Sequence, residues 1–242
     1  MIKFKEFKKR CNRIDKKIND RNHWFSSKFS IYFSYVFVLI GFSANQVTLL
    51  FFLTGLLGAF LFSFSSLEMT LFGYVLYRLH IIFDMCDGDV ARFNNSFSIN
   101  GIYWDSMIHS VLNPLFYAFI TFSFYIQFSN HIFLIICPFI ILSSSILMAV
   151  KNNYFKALLL TNEALPKKLK RDEKLNLFKK TFNFFAEILS IEGFVFFSIF
   201  VKYLVSETGA IFFLFAFMFF NFSISLYKFY NLSIKGFFQN RF

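Results

Sequence analysis

From Gln46 onward the chain returns repeatedly to runs of about 20 apolar residues, the length that crosses a bilayer as a helix. Backbone immersed in lipid must satisfy its own N–H and C=O groups, and uncharged runs of this length do so as helices. The fold class this dictates is all-α and integral to a membrane. Six spans fit, close to Gln46 to Ser65, Met69 to Phe93, Asn100 to Ile126, Ile132 to Asn152, Thr181 to Val205 and Ala210 to Tyr230. A composition that is 57% hydrophobic, with mean hydropathy +0.55, lies outside the soluble range and leaves no stretch for a separate soluble domain. The 43 Phe residues read as lipid-facing bulk and carry no function of their own.

The net charge of +11 raises nucleic acid as a partner, and its distribution removes it. Ten of the 25 Lys and Arg lie between Met1 and Lys28, nine between Lys151 and Lys180, and three in the tail at Lys228, Lys235 and Arg241. All fall on one side of a six-span protein, as expected for loops facing the cytoplasm. The localisation that follows is the plasma (inner) membrane, with both termini cytoplasmic. The basic N-terminal stretch has Ile2, Phe4, Phe7, Ile14 and Ile18 at loosely helical spacing, which predicts an interfacial amphipathic helix on the membrane surface. Phe29 to Phe42, interrupted by Ser30, Ser34 and Gly41, reads as a second interfacial helix leading into the bilayer. The expected organisation is an N-terminal interfacial part, 1–45, a six-helix domain, 46–230, and a short cytoplasmic tail, 231–242. Cys11, Cys86 and Cys137 form no CxxC pair and have no zinc spacing. Pro114 and Pro138 are expected to kink their helices.

Against this apolar background one stretch, Asp84 to His109, holds most of the charge that a surface cannot explain. Asp84, Asp87, Gly88, Ala91 and Arg92 follow the i, i+3, i+4, i+7, i+8 pattern of one helix face, and Gly101, Asp105 and His109 step by four along the next helix. The short turn Asn94-Asn95-Ser96 joins the two, at the cytoplasmic ends of spans two and three. An ionised carboxylate in the bilayer costs at least ~2.5 to 3.5 kcal/mol, and three that converge also repel. A divalent cation resolves both, and oxygen ligands with one imidazole favour Mg²⁺ or Mn²⁺. Phosphate is the usual further ligand of such an ion. Gly88 and Gly101 leave room for its approach, and Arg92 can bind a diphosphate through its fork of donors.

The pattern D-x-x-D-G-x-x-A-R-x8-G-x-x-x-D is similar to the signature of the CDP-alcohol phosphotransferases, an integral membrane family with six transmembrane helices and an N-terminal interfacial helix. The resemblance implies transfer of a substituted phosphate from a CDP-alcohol to an acceptor alcohol with release of CMP, in phospholipid or related phosphodiester biosynthesis. By position it implies that Asp84, Asp87 and Asp105 bind two divalent ions, and that Gly88, Ala91, Arg92 and Gly101 shape the CDP site. Asn45 and Thr48, in the segment SANQVT, resemble the family's P-N-x-x-T near the nucleotide, with Ala44 in place of proline. A homodimer is expected at the family level only. Where the family pattern ends in a fourth aspartate this chain has His109, which fits a general base or a metal ligand but cannot be both through one nitrogen. Three other readings stay open: an inactive or repurposed homologue in which His109 only packs, an intramembrane prenyltransferase, and a divalent-cation transporter.

Overall fold

The computed structural model describes residues 3–11, 24–96, 98–160 and 191–230, and every regular element among them is helical. In chain order these are α1 (Phe4–Arg10), α2 (Trp24–Leu39), α3 (Ala44–Leu61), α4 (Leu67–Asn94), α5 (Ile99–Phe128), α6 (Ile132–Leu160), α7 (Ile191–Leu204) and α8 (Glu207–Phe229). Five are long and apolar enough to cross a membrane: α3, α4, α5, the Ile132–Val150 part of α6 and the Glu207–Tyr227 part of α8. Their outward faces carry large apolar side chains, Phe72 being 64% and Phe212 75% exposed, which is the pattern of an all-α membrane protein solvated by lipid. Of the expected span from Thr181 to Val205, α7 supplies 14 residues, while 181–190, most of the basic segment that follows Leu160 and the 231–242 tail lie outside the described residues.

Local sequence explains where the helices begin and end. Ser43 caps α3 through a capping box, its hydroxyl accepting from the Gln46 amide while the Gln46 side chain accepts from the Ser43 amide. Ser66 caps α4 and Ser206 caps α8 in the same N-terminal manner, each with a glutamate in the first turn. At its other end α4 closes on Asn95, which adopts the left-handed conformation at φ 50°. The Ser96 amide donates to the Ala91 carbonyl and the Asn95 amide to the Arg92 carbonyl, the two bonds of a Schellman motif built on Asn in place of Gly. Ser98 Oγ then accepts from the Gly101 amide at 2.9 Å and opens α5. Pro114 and Pro138 lie within α5 and α6, whose helical course is continuous through them. α6 runs eight residues past the expected end at Asn152, since no Gly or Pro interrupts the sequence before Pro166.

The chain divides into two units, Met1–Phe119 and Ile120–Phe242. In the first, α3 and α4 cross where two glycines face each other. A Cβ added at Gly58 would stand 3.2 Å from the Gly73 carbonyl oxygen, and one at Gly73 would stand 3.0 Å from the Gly58 oxygen. Small residues at such a crossing let helix backbones approach closely in lipid, where burial of apolar surface gives no drive for association. Helix α2 lies along α4, with Phe37, Val47, Ile82, Cys86 and Val90 forming their shared core with α3. Helix α1, the described part of the expected interfacial stretch, packs its aromatic residues on protein. Phe4 packs against Tyr32 and Tyr35 at 5.4 and 5.1 Å, and the fully buried Phe7 packs against Tyr35 and Phe93, so this apolar face is covered by protein. Five aromatic rings meet there, and Arg10 closes the cluster from above the Phe93 ring. Ile2, Ile14 and Ile18, the rest of the expected membrane-facing stripe, lie outside the described residues.

In the second unit α6 and α8 pack together, with the Ser225 hydroxyl, bonded to the Asn221 carbonyl of its own helix at 2.7 Å, also 3.3 Å from the Ser143 carbonyl. Phe194 of α7 sits against Phe213 and Phe217 of α8. The turn before α6 is tied down by Asn130, which donates to Glu207 and accepts from the Ile132 amide.

The glycine crossing yields a stability test. Gly58→Leu should lower unfolding stability in detergent by ~1 to 3 kcal/mol, because the obstacle is a backbone carbonyl that cannot rotate away. Leu57→Ala, on the neighbouring exposed position, should change it by no more than ~0.5 kcal/mol. Denaturant-induced unfolding followed by intrinsic fluorescence reads both.

Candidate active site

Helix α4 carries Asp84, Asp87 and Asp89 within two turns, and each reaches a different neighbour. Asp89 is fully buried, lies 3.0 Å from Ser34 Oγ of α2, a hydroxyl whose single proton is shared with the Ser30 carbonyl at 2.7 Å, and pairs with the Arg92 guanidinium at 2.7 Å. Asp87 Oδ2 accepts from Thr48 Oγ1 of α3 at 2.9 Å, a hydroxyl whose single proton also lies near the Ala44 carbonyl oxygen. Asp84 Oδ1 is 3.3 Å from His109 Nε2 of α5. The three acids therefore bind α2, α3 and α5 to one end of α4.

Asp84, Asp105 and His109 form the tightest constellation. One donor atom from each lies within 4.8 Å of the others, and His109 Nε2 is also 3.5 Å from Asp105 Oδ1. That oxygen is shielded from solvent yet accepts no hydrogen bond among the described residues. The spacing of four along α5 puts Asp105 and His109 on the face that meets Asp84. His109 also leans on Phe51 at 5.3 Å between ring centroids. A shielded carboxylate oxygen without a donor, beside a second carboxylate and an imidazole nitrogen, fits a hard divalent cation such as Mg²⁺ or Mn²⁺. Asp87 is outside this group of donors and is held by Thr48.

The other residues expected at the site surround it. Gly88 and Arg92 face each other one turn apart, and a Cβ at Gly88 would stand 3.5 Å from two nitrogens of the Arg92 guanidinium. Arg92 Nε is shielded and makes no hydrogen bond among the described residues, so Asp89 takes only part of the fork. Ala91 is buried one turn from Arg92's contacts. Asn45 and Thr48, expected just before the first span, lie in the opening turns of α3, and Asn45 Oδ1 would stand 3.9 Å from a Cβ on Gly101. The expected binding residues of α3, α4 and α5 are thus neighbours at one end of the first unit.

Sequence reasoning gave Asp89 no part in the site, and it is paired with Arg92 and fully buried. It treated Ser30 and Ser34 as interruptions of an apolar helix. Ser26, Ser30 and Ser34 are instead a fully buried stripe at spacing four, with Ser30's carbonyl accepting from Cys86 and Ser34 from α2 reaching Asp89. His80, four residues before Asp84, is buried with Nδ1 donating to the Phe51 carbonyl at 3.0 Å and its ring 6.4 Å from that of His109. Gly55 makes that possible, because a Cβ there would come within 2.6 Å of His80 Nδ1. The signal for His80 was its place on the Asp84 face, while nothing local pointed to Gly55.

No protein-family model matches the chain, and no curated protein matches it significantly.

The donor set predicts a measurable affinity. Purified protein should bind Mn²⁺, read by electron paramagnetic resonance, and Asp105→Asn should weaken that binding by about tenfold or more. Binding should also weaken as pH falls, since protons compete with the ion for carboxylate and imidazole. Unchanged Mn²⁺ affinity in Asp105→Asn would remove this residue from the donor set.

Proposed function

We propose that the chain is a membrane transferase of the CDP-alcohol phosphotransferase type, moving a substituted phosphate from a CDP-alcohol to an acceptor hydroxyl with release of CMP. The observation that carries this reading is the meeting of the two halves of D-x-x-D-G-x-x-A-R-x8-G-x-x-x-D. Asp84 from the first half stands beside His109 at 3.3 Å, and His109 stands 3.5 Å from Asp105 of the second half. The six-span topology with cytoplasmic termini belongs to the same proposal and is supported by the distribution of Lys and Arg.

Asp84 and Asp105 would hold the ion, with Asp87 beside them, and His109 would join them as a ligand only if another group took the proton. A divalent cation bound there supplies charge neutralisation to a diphosphate oxygen. Arg92 offers its unsatisfied Nε and the rest of its fork to the same diphosphate, while Asp89 and Ser34 keep the guanidinium over Gly88. The acceptor oxygen attacks the phosphorus on the alcohol side of the diphosphate, and its proton passes to His109 Nε2. The bond from that phosphorus to the CMP oxygen breaks, and CMP leaves with the bonding electron pair. His109 Nε2 faces both carboxylates, so the duties of proton acceptor and ligand compete for one atom. That competition gives the substitution of aspartate by histidine a direct reading in the kinetics.

Protein in lipid nanodiscs with Mg²⁺, screened with CDP-alcohol donors against polyol, amino-alcohol and sugar-phosphate acceptors, should release CMP. Release of pyrophosphate in place of CMP would favour a prenyltransferase, and no turnover with any pair despite bound metal would sink the transferase reading. His109→Ala should lower the rate by ~10² to 10⁴. If Mn²⁺ binding survives in that variant, His109 is the base; if binding is lost with activity, it is a ligand.

A further inference from the structure

His80 stands one turn before Asp84 on α4 and is buried among rings. Phe51 of α3 stacks on it with centroids 4.5 Å apart at 21°, and Tyr77 and Phe116 pack around it at 6.1 and 6.0 Å. A side chain that only had to fill this space would be apolar, since shielding an imidazole from water costs free energy that shielding hydrocarbon does not. The polar part has a definite use. Nδ1 donates to the Phe51 carbonyl at 3.0 Å, a carbonyl inside α3 whose helical partner is the amide four residues on, so this bond is additional to those α3 makes for itself. His80 therefore holds one residue twice, by its ring and by its carbonyl.

The ring that this pair meets next is that of His109. It lies 5.3 Å from Phe51 at 57° and 6.4 Å from His80 at 74°, so it stands at a steep angle to both stacked rings. Among the described residues the polar contacts of His109 both run through Nε2, to Asp84 at 3.3 Å and toward Asp105 at 3.5 Å. Contacts at a single atom leave the plane of the ring undetermined, and a functional imidazole is usually oriented by a hydrogen bond at its other nitrogen. Ring packing takes that place here. The three rings come from α3, α4 and α5 and run without a break from the notch at Gly55 to the acids.

Resting on the transferase reading for its kinetic consequence, we infer that His80 is a positioning residue for His109: its double hold on Phe51 fixes the plane of the His109 ring and aims Nε2 between Asp84 and Asp105. His80 acts through Phe51 and His109 and not on the reacting groups. Its loss lowers kcat and leaves KM for donor and acceptor unchanged.

Two variants separate the halves of the hold. His80→Phe keeps a ring and removes the donor, whereas His80→Asn keeps a donor near the place of Nδ1 and removes the ring. In the nanodisc assay of CMP release each should lower kcat by about tenfold, within the loss that small misplacements of a reacting group can cause. In a His109→Ala background the same changes should cost no more than about twofold, because residues that act through one another do not lose independently. Equal losses in the two backgrounds identify a His80 that only supports the fold and overturn the inference, as does unchanged kcat in both variants. A second measurement is independent of turnover. The chain has four histidines, so in protein labelled with [¹⁵N]histidine and loaded with Mg²⁺ the His109 signals are identified by their absence from His109→Ala. His80→Phe should displace or split the imidazole signals of His109 while those of His23 and His131 stay in place. Unmoved His109 signals overturn the inference and leave the transferase reading standing. Absence of CMP release from the wild type with every donor and acceptor overturns the transferase reading itself, and the spectra then decide alone whether His80 orients His109.

Discussion

A carboxylate placed on an apolar helix must find a partner or give up its charge, and α4 places three within six residues. That demand organises the first unit. Asp89 is met by α2, Asp87 by α3 and Asp84 by α5, so the contacts that satisfy the charges also set how the helices stand at this end. Among helices that share no hydrophobic drive in lipid, hydrogen bonds to charged groups in a low-dielectric setting are strong enough to choose the arrangement.

The three contacts are graded, and the grading separates support from chemistry. Asp89 is wholly buried, with two short contacts, and anchors α2 against α4. The side chain of Asp84 is 30% exposed, and its partner His109 stands at 3.3 Å, long for a charge-assisted bond. Asp105 Oδ1 beside them accepts no hydrogen bond among the described residues. The carboxylate contacts are thus shorter where α4 meets α2 than where it meets α5, and a shielded carboxylate oxygen left without a donor among the described residues is what a cation requires. Asp89 serves the site at one remove, holding the Arg92 guanidinium over Gly88.

Much of this was legible in the sequence because helix periodicity alone places side chains on faces. The steps 84, 87, 88, 91, 92 and 101, 105, 109 predicted two facing stripes, and five of the six spans have helical counterparts of sufficient length and hydropathy. What stayed hidden depended on contacts between segments far apart in the chain. Ser34 reads as a weak point in an apolar run until Asp89, 55 residues away, comes within 3.0 Å of its hydroxyl. Gly55 has no local reason to be glycine, and gains one only when His80 and Leu112 fill its place. The apolar side of α1 matched a membrane-surface helix equally well, because Phe4 and Phe7 are content with either lipid or the Tyr35 and Phe93 rings. Periodicity finds a face without saying what covers it.

The left-handed turn at Asn95 bears on all of this as a matter of angular phase. Only a few residues separate the last turn of α4 from the first of α5, and both ends of that link are fixed by hydrogen bonds, at Ser96 to Ala91 and at Gly101 to Ser98. The connection therefore acts as a clutch with a single tooth setting. A residue added or removed within it would have to be taken up by the Asn95 cap or the first turn of α5, the segments from which Asp105 and His109 are carried to Asp84. Length in this link is consequently as much a part of the site's chemistry as the identity of the residues it aligns.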